Sequence, residues 1–154
     1  MAETTGELEL HGVGVSPGVV IGPAFLLTPA DVRIVERALT PDEIPREIVR
    51  LEEALIATRG QLRDIQRRVE RALDRRSASI FDAHLLVVDD RAFIEEVIRG
   101  VQTRQVNVEV VLHEVARRYA DTLSQMDDEY LRERAADVRD VARRILMNLA
   151  GHPM

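Results

Sequence analysis

Residues 44–72 read IPREIVRLEEALIATRGQLRDIQRRVERA, and apolar side chains recur through this stretch at alternating steps of four and three. The positions that belong to this repeat are Ile44, Ile48, Leu51, Leu55, Thr58, Leu62, Ile65, Val69 and Ala72. A repeat of about 3.5 residues places side chains along one side of an α-helix, as in the seam of a coiled coil. The sequence therefore predicts a long helix that packs an aliphatic stripe against other helices.

A helix start signal precedes this stretch. Thr40-Pro41-Asp42-Glu43 has the order of a capping box, with a hydroxyl cap, proline at the first helical position and a glutamate in the first turn. We therefore expect helical structure from Thr40 onward. We also expect Pro45 to distort the first turn, because proline lacks the N–H that an intrahelical hydrogen bond needs.

Further helical patterns follow, and each is bounded by residues typical of helix ends. Asp89-Asp90, Asn107 and Asp127-Asp128 can cap helices, whereas Gly100 and Gly151 are typical of positions where helices stop. The inward positions are predicted to be Ile80, Phe81, Leu85 and Val88, then Phe93, Ile94, Val97 and Ile98, then Val108, Val111, Leu112, Val115, Tyr119, Leu123 and Met126, and finally Leu131, Ala135, Val138, Ala142, Ile145 and Leu149. Short connections favour an antiparallel four-helix bundle whose second helix is broken in two.

Residues 8–27 read LELHGVGVSPGVVIGPAFLL and have a different character. Apolar stretches around Ser16-Pro17-Gly18 predict one or two short β-strands. Two strands do not make a stable sheet alone, so we expect their sheet partners to lie elsewhere. The glycine spacing matches neither a P-loop nor a dinucleotide fingerprint, and tight turns with close chain approach explain it more simply.

Composition excludes several classes of function. The net charge is −6, which argues against general nucleic-acid binding, and the chain has no cysteine for disulfides, thiolate catalysis or cysteine zinc sites. The four histidines form no metal-ligand pair, so we expect no metal site. No apolar run reaches the roughly 18 to 20 residues of a membrane span, and Met1 to Leu10 lacks a signal-peptide pattern, so we expect a cytoplasmic protein.

The polar residues indicate a binding module rather than a complete enzyme. His113 is expected to pack at the edge of the bundle, whereas His84 suits a binding surface and a structural role equally well. The helix face with Arg132, Arg134, Arg139 and Arg143 suits ordinary surface ion pairing or contact with an anionic partner.

Three motifs, taken together, resemble one known family. They are GVGVSPGVVIGPAFLL (12–27), IFDAHLLVVDD (80–90) and DDEYLRERAADVRD (127–140). In this order they are similar to motifs of the Enzyme I family, the phosphoenolpyruvate–protein phosphotransferases of the sugar phosphotransferase system. The resemblance extends from about residue 10 to residue 150.

The resemblance implies a division of the chain. Residues 8–30 would be strands of an α/β phosphohistidine subdomain that is largely missing here, and residues 31–150 a helical subdomain that binds the histidine phosphocarrier protein HPr. Residues 1–7 and 151–154 would be tails. The family's Gly-Gly-x-Thr-Ser-His motif and its barrel for phosphoenolpyruvate and Mg²⁺ are absent from this sequence. The chain is therefore expected to be an inactive part, without cofactor, of a parent enzyme that dimerises through its missing C-terminal part.

The resemblance also implies a docking surface, but no catalytic or metal-binding residue. The HPr-binding residues would be Asp82, His84, Leu86, Val87, Asp90, Phe93, Leu123, Leu131 and Arg134. Arg75-Arg76 departs from the family, because many members carry acids there. Two alternatives stay open: a free-standing helical scaffold or regulator, and a paralogous phosphotransferase of nitrogen regulation or dihydroxyacetone phosphorylation.

Overall fold

The computed structural model describes residues 11–13, 17–23 and 33–151. The chain divides into two units, residues 1–30 and 31–154. The described parts of the first unit contain no strand, and Val19, Val20 and Ile21 are almost fully exposed there. The remainder of the predicted strands and the predicted tails, apart from Gly151, lie outside the described residues. The assignment of these ranges to subdomains stays a prediction.

The predicted helical class is confirmed in the second unit. Between residues 33 and 151 the chain forms six helices, namely α1 (Ile44–Ala72), α2 (Arg75–Ala78), α3 (Ile80–Val88), α4 (Arg91–Arg104), α5 (Val108–Ser124) and α6 (Glu129–Leu149). The short α2 is capped by Asp74, whose carboxylate accepts a hydrogen bond from the Ser77 N–H at 2.6 Å. Asp90 and Asp128 cap α4 and α6 in the same way.

Side-chain contacts give the directions of two helix pairs. Arg59 of α1 pairs with Asp89, which directly follows α3, and Gln66, further along α1, bonds to the earlier Asp82 of α3. The Arg104–Glu114 and Arg118–Glu96 pairs likewise join α4 and α5 in opposite order. Both pairs of helices are therefore antiparallel. The α6 helix packs against α1, α3 and α5, and the grouping of all helices into a four-helix bundle stays a prediction.

The core is aliphatic and follows the predicted seam for most of α1. Leu51, Leu55, Thr58 and Leu62 are buried, and Leu62 is only 1% exposed. Near the end of α1 the seam leaves the core, where Ile65 and Val69 are half-buried and Ala72 is exposed. The largest fully buried side chains of the other helices include Leu112 and Ile145.

The start of α1 differs from the prediction. The α-helix begins at Ile44 rather than Thr40, after a turn in which the Glu43 carboxylate accepts hydrogen bonds from the Thr40 N–H at 2.8 Å and the Thr40 hydroxyl at 3.0 Å. Pro45 therefore falls in the first turn of α1, where an N–H has no intrahelical partner. The expectation that Pro45 needs a distorted turn was wrong.

Gly100 does not end a helix, contrary to the prediction. It lies inside α4, which continues to Arg104 and ends at Gln105 in the left-handed conformation, with φ of 52°. A Cβ atom added to Gly100 would lie 2.5 Å from Cγ1 of Val111. The glycine therefore permits a close approach of α4 and α5.

Substitution of Gly100 by alanine is expected to destabilise the protein by about 1–2 kcal/mol. Overpacking against Val111 costs about 1–3 kcal/mol, and the better helix propensity of alanine recovers less than about 1 kcal/mol of it. Chemical denaturation of the variant measures the loss. The matched control is Gly60→Ala within α1, where an added Cβ meets nothing within 4 Å and the protein should become slightly more stable. Equal effects of the two substitutions would contradict the close approach.

The segment before α1 is held against the loop between α4 and α5. Ala38 and Val106 form an isolated antiparallel β-bridge, and the Leu39 N–H donates to the Gln105 carbonyl at 2.7 Å. Asn107 precedes α5, as predicted for a cap, but its side chain makes no cap hydrogen bond. Its Oδ1 accepts instead from the Arg37 N–H at 2.8 Å, so this amide holds the incoming segment.

The side-chain hydrogen-bond acceptor at the start of α5 is the buried Glu47 rather than Asn107. Glu47 is 2% exposed, and its Oε1 accepts from the Val108 N–H at 3.0 Å and from Arg50 at 2.8 Å. Arg50 also pairs with Glu109 at 2.6 Å and donates to the Leu149 carbonyl at 3.3 Å. This polar network, which links the start of α1 to α5 and α6, has no counterpart in the sequence predictions.

Glu109 makes the network sensitive to acid. Burial by itself raises the pKa of this carboxyl, but hydrogen bonds from its own backbone N–H, from Arg50 and from Asn107 outweigh burial and leave the pKa below the ordinary 4.5. A carboxyl that loses its proton more readily in the folded state stabilises the protein above its unfolded pKa, and that contribution disappears as the pH falls through the folded value.

The wild-type protein is therefore expected to lose stability below about pH 4.5 more steeply than a Glu109→Gln variant. Urea unfolding at intervals from pH 7 down to pH 3 measures the difference. Glu133→Gln, at an exposed position of α6, serves as the control and should keep the wild-type slope. An unchanged slope in Glu109→Gln would show that this carboxyl does not carry the effect.

Candidate functional site

The outer face of α3 presents an apolar side chain between two carboxylates. Asp82, Leu86 and Asp89 lie on one exposed face, with spacings of four and three residues, and Leu86 is 70% exposed. The neighbouring α1 fixes both acids, because Gln66 donates to Asp82 at 2.7 Å and Arg59 donates to Asp89 at 2.7 Å. The two carboxylates are thus held beside Leu86 before any partner arrives.

His84 and Val87 lie on the opposite, half-buried side of α3. The His84 Nδ1 is 3.0 Å from the Ile80 carbonyl oxygen and therefore carries a hydrogen, because a carbonyl can only accept. The other ring nitrogen, Nε2, lies 3.9 Å from Oδ1 of Asp137 on α6, and the His84 side chain is 13% exposed. His84 therefore faces Asp137 of α6 at the edge of the exposed face.

Arg134 is fixed on α6 by its own helix. Its guanidinium donates to Asp137 at 3.1 Å and to the Tyr130 hydroxyl, and its central carbon lies 4.5 Å from the centroid of the Tyr130 ring. Asp137 thus contacts Arg134 and faces His84. Leu131, on the first turn of α6, is half-buried, and its N–H donates to the capping Asp128 at 3.3 Å.

The remaining predicted residues cluster around the start of α4. Asp90 is exposed and accepts a hydrogen bond from the Phe93 N–H at 2.9 Å, which caps α4. Phe93 is 2% exposed and packs edge-to-face on Tyr119, with ring centroids 5.4 Å apart. Leu123 is half-buried against the core, one helical turn beyond Tyr119. Since Phe93 offers almost no surface to a partner, it supports the start of α4 from within.

The structure thus brings part of the predicted set together. Asp82 and Leu86 share the outer face of α3, while Asp137 pairs with Arg134 and faces His84. The sequence prediction omitted Asp137 and Tyr130 from the site. The spacing of Tyr130 to Arg134 and of Arg134 to Asp137 was the available signal, since residues three or four apart are neighbours on a helix.

The arrangement is suited to protein contact. An exposed apolar anchor supplies desolvation, and fixed charges around it supply steering and orientation. Within residues 11–13, 17–23 and 33–151, no group of three or more His, Asp or Glu side chains could hold a metal ion. None of the helices in that same part of the chain has the length and apolar character required to cross a membrane.

Comparisons with known sequences agree on a family. The family described as PEP-utilising enzyme, N-terminal, matches residues 11–134. The chain is 36% identical over 151 residues to phosphoenolpyruvate-protein phosphotransferase of Geobacillus stearothermophilus, which covers 98% of this chain and 26% of that protein. Identity to the Haemophilus influenzae protein of the same name is 33% over 142 residues, or 92% of this chain and 25% of that protein. The chain spans about a quarter of the length of these relatives.

Solved structures agree on the fold. A solution structure of Enzyme I (nEIt) has a TM-score of 0.78 at 34% identity, over 88% of this chain and 55% of that chain. The N-terminal domain of Enzyme 1 – Nitrogen has a TM-score of 0.70 at 24% identity, over 77% of this chain and 49% of that chain, which shows a shared fold alone. Because the family match covers most of its residues, the chain belongs to the N-terminal family of PEP-utilising enzymes.

Proposed function

We propose that this chain is the phosphocarrier-docking part of a phosphoenolpyruvate-protein phosphotransferase, the Enzyme I of a sugar phosphotransferase system. Its partner is HPr or an HPr-like carrier. The observation that carries the proposal is the exposed Leu86 between the fixed carboxylates of Asp82 and Asp89. This surface lies within the segment that matches the family and its phosphotransferase relatives.

The contacts follow from the exposure of each residue. Leu86 is the apolar anchor, and the half-buried Val87, Leu123 and Leu131 extend the apolar area. Four charged or polar side chains form the rim, namely Asp82, His84, Asp90 and Arg134. Such a surface binds transiently, because exposed charge pairs add little affinity but accelerate association.

The parent enzyme supplies the chemistry in this proposal. It passes phosphate from phosphoenolpyruvate through a histidine to the carrier during sugar uptake, and it requires Mg²⁺. The parent enzyme is a cytoplasmic homodimer that is joined by its C-terminal part. The chain by itself binds the carrier without transferring phosphate. The helices act as an antiparallel four-helix bundle, in which α3 and α4 form the broken second helix.

Two observations favour this proposal over the alternatives. The similar curated relatives are named phosphoenolpyruvate-protein phosphotransferase, at 33% to 36% identity, whereas the likeness to the nitrogen enzyme shows the fold alone. A free-standing scaffold would leave the fixed acids beside Leu86 without a purpose.

Replacement of Leu86 by aspartate is expected to weaken carrier binding by at least about tenfold, because it removes the apolar anchor and adds a third carboxylate beside two others. Titration of isotope-labelled HPr with the chain, followed by NMR chemical-shift changes, measures the affinity. Val49→Asp is the matched control, because Val49 is 48% exposed near the start of α1, more than two helical turns before Arg59, and should leave binding unchanged.

Three results would count against the docking proposal. The first is a wild-type titration that leaves the HPr spectrum unchanged at low and high salt. The second is equal binding by the Leu86→Asp and Val49→Asp variants. The third is a stable dimer in analytical ultracentrifugation that the Leu86→Asp variant does not form, since this result would favour the scaffold.

A further inference from the structure

A dense group of arginines lies where α1 ends and α2 begins. Five exposed arginines form this arginine patch: Arg67, Arg68, Arg71, Arg75 and Arg76. Residues 67–76 contain only two carboxylates, those of Glu70 and Asp74. The Asp74 carboxylate is occupied as the cap of α2, since it accepts from the Ser77 N–H at 2.6 Å and from the Ser77 hydroxyl at 3.1 Å. Positive charge therefore dominates this corner of a chain whose net charge is −6.

Most of this charge has no ion-pair partner among the residues that the structure describes. Arg67 pairs with Asp64, which also lies in the field of Arg68. Among the described residues, no salt bridge reaches Arg71, Arg75 or Arg76. Some other surface arginines are paired, as in Arg91–Glu95, Arg104–Glu114 and Arg118–Glu96. Neighbouring like charges repel one another, so the patch costs stability unless an anionic surface comes to lie against it.

Exposed apolar side chains lie within the same corner. Leu73, the residue after α1, is 72% exposed, and Ile80, the first residue of α3, is 59% exposed. Guanidinium groups around exposed aliphatic side chains are typical of interface anchors, because arginine binds carboxylates in a planar, two-pronged geometry.

We propose that the arginine patch, with Leu73 and Ile80, receives a carboxylate-bearing face of the phosphocarrier. This inference rests on the proposed function, and it assigns a charge pattern to the partner. The carrier presents acidic side chains to α2 and basic side chains to Asp82, Asp89 and Asp90. The arginine patch repels a carrier that is basic over its whole contact face, so such a carrier binds more weakly.

Charge complementarity favours a protein over nucleic acid or a lipid surface. The arginine patch is followed along the chain by Asp82, Asp89 and Asp90, which are exposed. A phosphate backbone or an anionic bilayer carries one sign of charge, so the arginines would attract it and these acids would repel it. A folded protein can place opposite charges against each group.

The test compares two variants with the same change in net charge. Arg75→Glu/Arg76→Glu reverses the patch, and Arg99→Glu/Arg117→Glu reverses two exposed arginines on α4 and α5. Each is titrated against the HPr-like carrier encoded in the same genome, at low and high salt. We expect the first variant to bind on the order of tenfold more weakly at low salt, mainly through a lower association rate, while the control keeps the wild-type affinity.

The outcomes separate this inference from the proposed function. Unchanged or tighter binding by Arg75→Glu/Arg76→Glu, with normal wild-type binding, would overturn the assigned charge pattern alone. A wild-type chain that does not bind the carrier would overturn both. Co-sedimentation of the wild type with phosphatidylserine vesicles, abolished in the patch variant whose carrier binding is intact, would assign the patch to a membrane surface instead.

Discussion

Replacement of Glu47 by alanine is expected to lower the free energy of unfolding by about 3 kcal/mol. The Glu47 carboxylate is 3% exposed and accepts from the buried Val108 N–H and from Arg50. Its removal leaves that N–H without an acceptor, and it leaves Arg50 with Glu109 as its remaining carboxylate partner. The loss lies near the lower end of the range for broken buried pairs, because Arg50 is 34% exposed and water can solvate it. Urea or thermal denaturation measures the change.

Two further variants test whether the loss of stability is specific to the Glu47 carboxylate. Glu52→Ala changes an exposed glutamate of the same helix and should alter stability by less than about 0.5 kcal/mol. Glu47→Gln keeps an acceptor for the Val108 N–H but removes the charge that Arg50 binds, so its loss should be intermediate. A Glu47→Ala protein as stable as Glu52→Ala would mean that water takes over the role of the carboxylate.

Leu62→Ala is expected to cost about 3 kcal/mol, because it opens a cavity where α1 packs into the core. Leu62 is 1% exposed and belongs to the hydrophobic cluster to which α1, α3, α4, α5 and α6 contribute. The size of the loss depends on how far neighbouring side chains relax into the cavity. Equilibrium denaturation gives the free energy, and an unchanged denaturant slope shows that the folded state keeps its compactness.

The same helix supplies the control for Leu62→Ala. Ile56 lies on the other side of α1 and is 65% exposed, so Ile56→Ala should change stability by less than about 0.5 kcal/mol. Comparable losses at both positions would show that the stripe through Leu62 is not the packed face of α1.

These two residues show what sequence could predict of the fold. Leu62 follows from the apolar repeat, because a periodic stripe identifies the buried face before any partner helix is known. Glu47 does not follow, since it is one of several glutamates near the start of α1. Its distinguishing partner, the Val108 N–H, lies 61 residues away along the chain. Local patterns carry no information on such a contact.

The predictions for Gly100 and Asn107 were wrong for another reason. One residue type serves several structural purposes. Glycine suits a helix end and also a close approach of two helices, and the structure uses Gly100 for the second purpose. The end of α4 falls instead on Gln105, with positive φ, at a residue type that sequence rules do not favour there. Asn107 has the position of a cap but bonds to the segment before α1.

The candidate site was predictable where exposure follows helical phase. The positions of Asp82 and Leu86 on α3 agree with the outward face of a helix whose Ala83 and Val88 are buried. Phe93 could not be placed from sequence, because a large apolar residue in the first turn of a helix suits an interface and a core equally well. Its contact with Tyr119, from a different helix, decides the matter.

The link from Arg37 through Glu47 and Arg50 to the Leu149 carbonyl has a topological consequence. These contacts connect the segment before α1 to the last turn of α6. A unit whose two ends meet can interrupt a surface loop of a host domain while adding little to the entropy of closing that loop. The segment from Arg37 to Leu149 is therefore suited to insertion in a surface loop by protein engineering, because a short linker at each end would span the join.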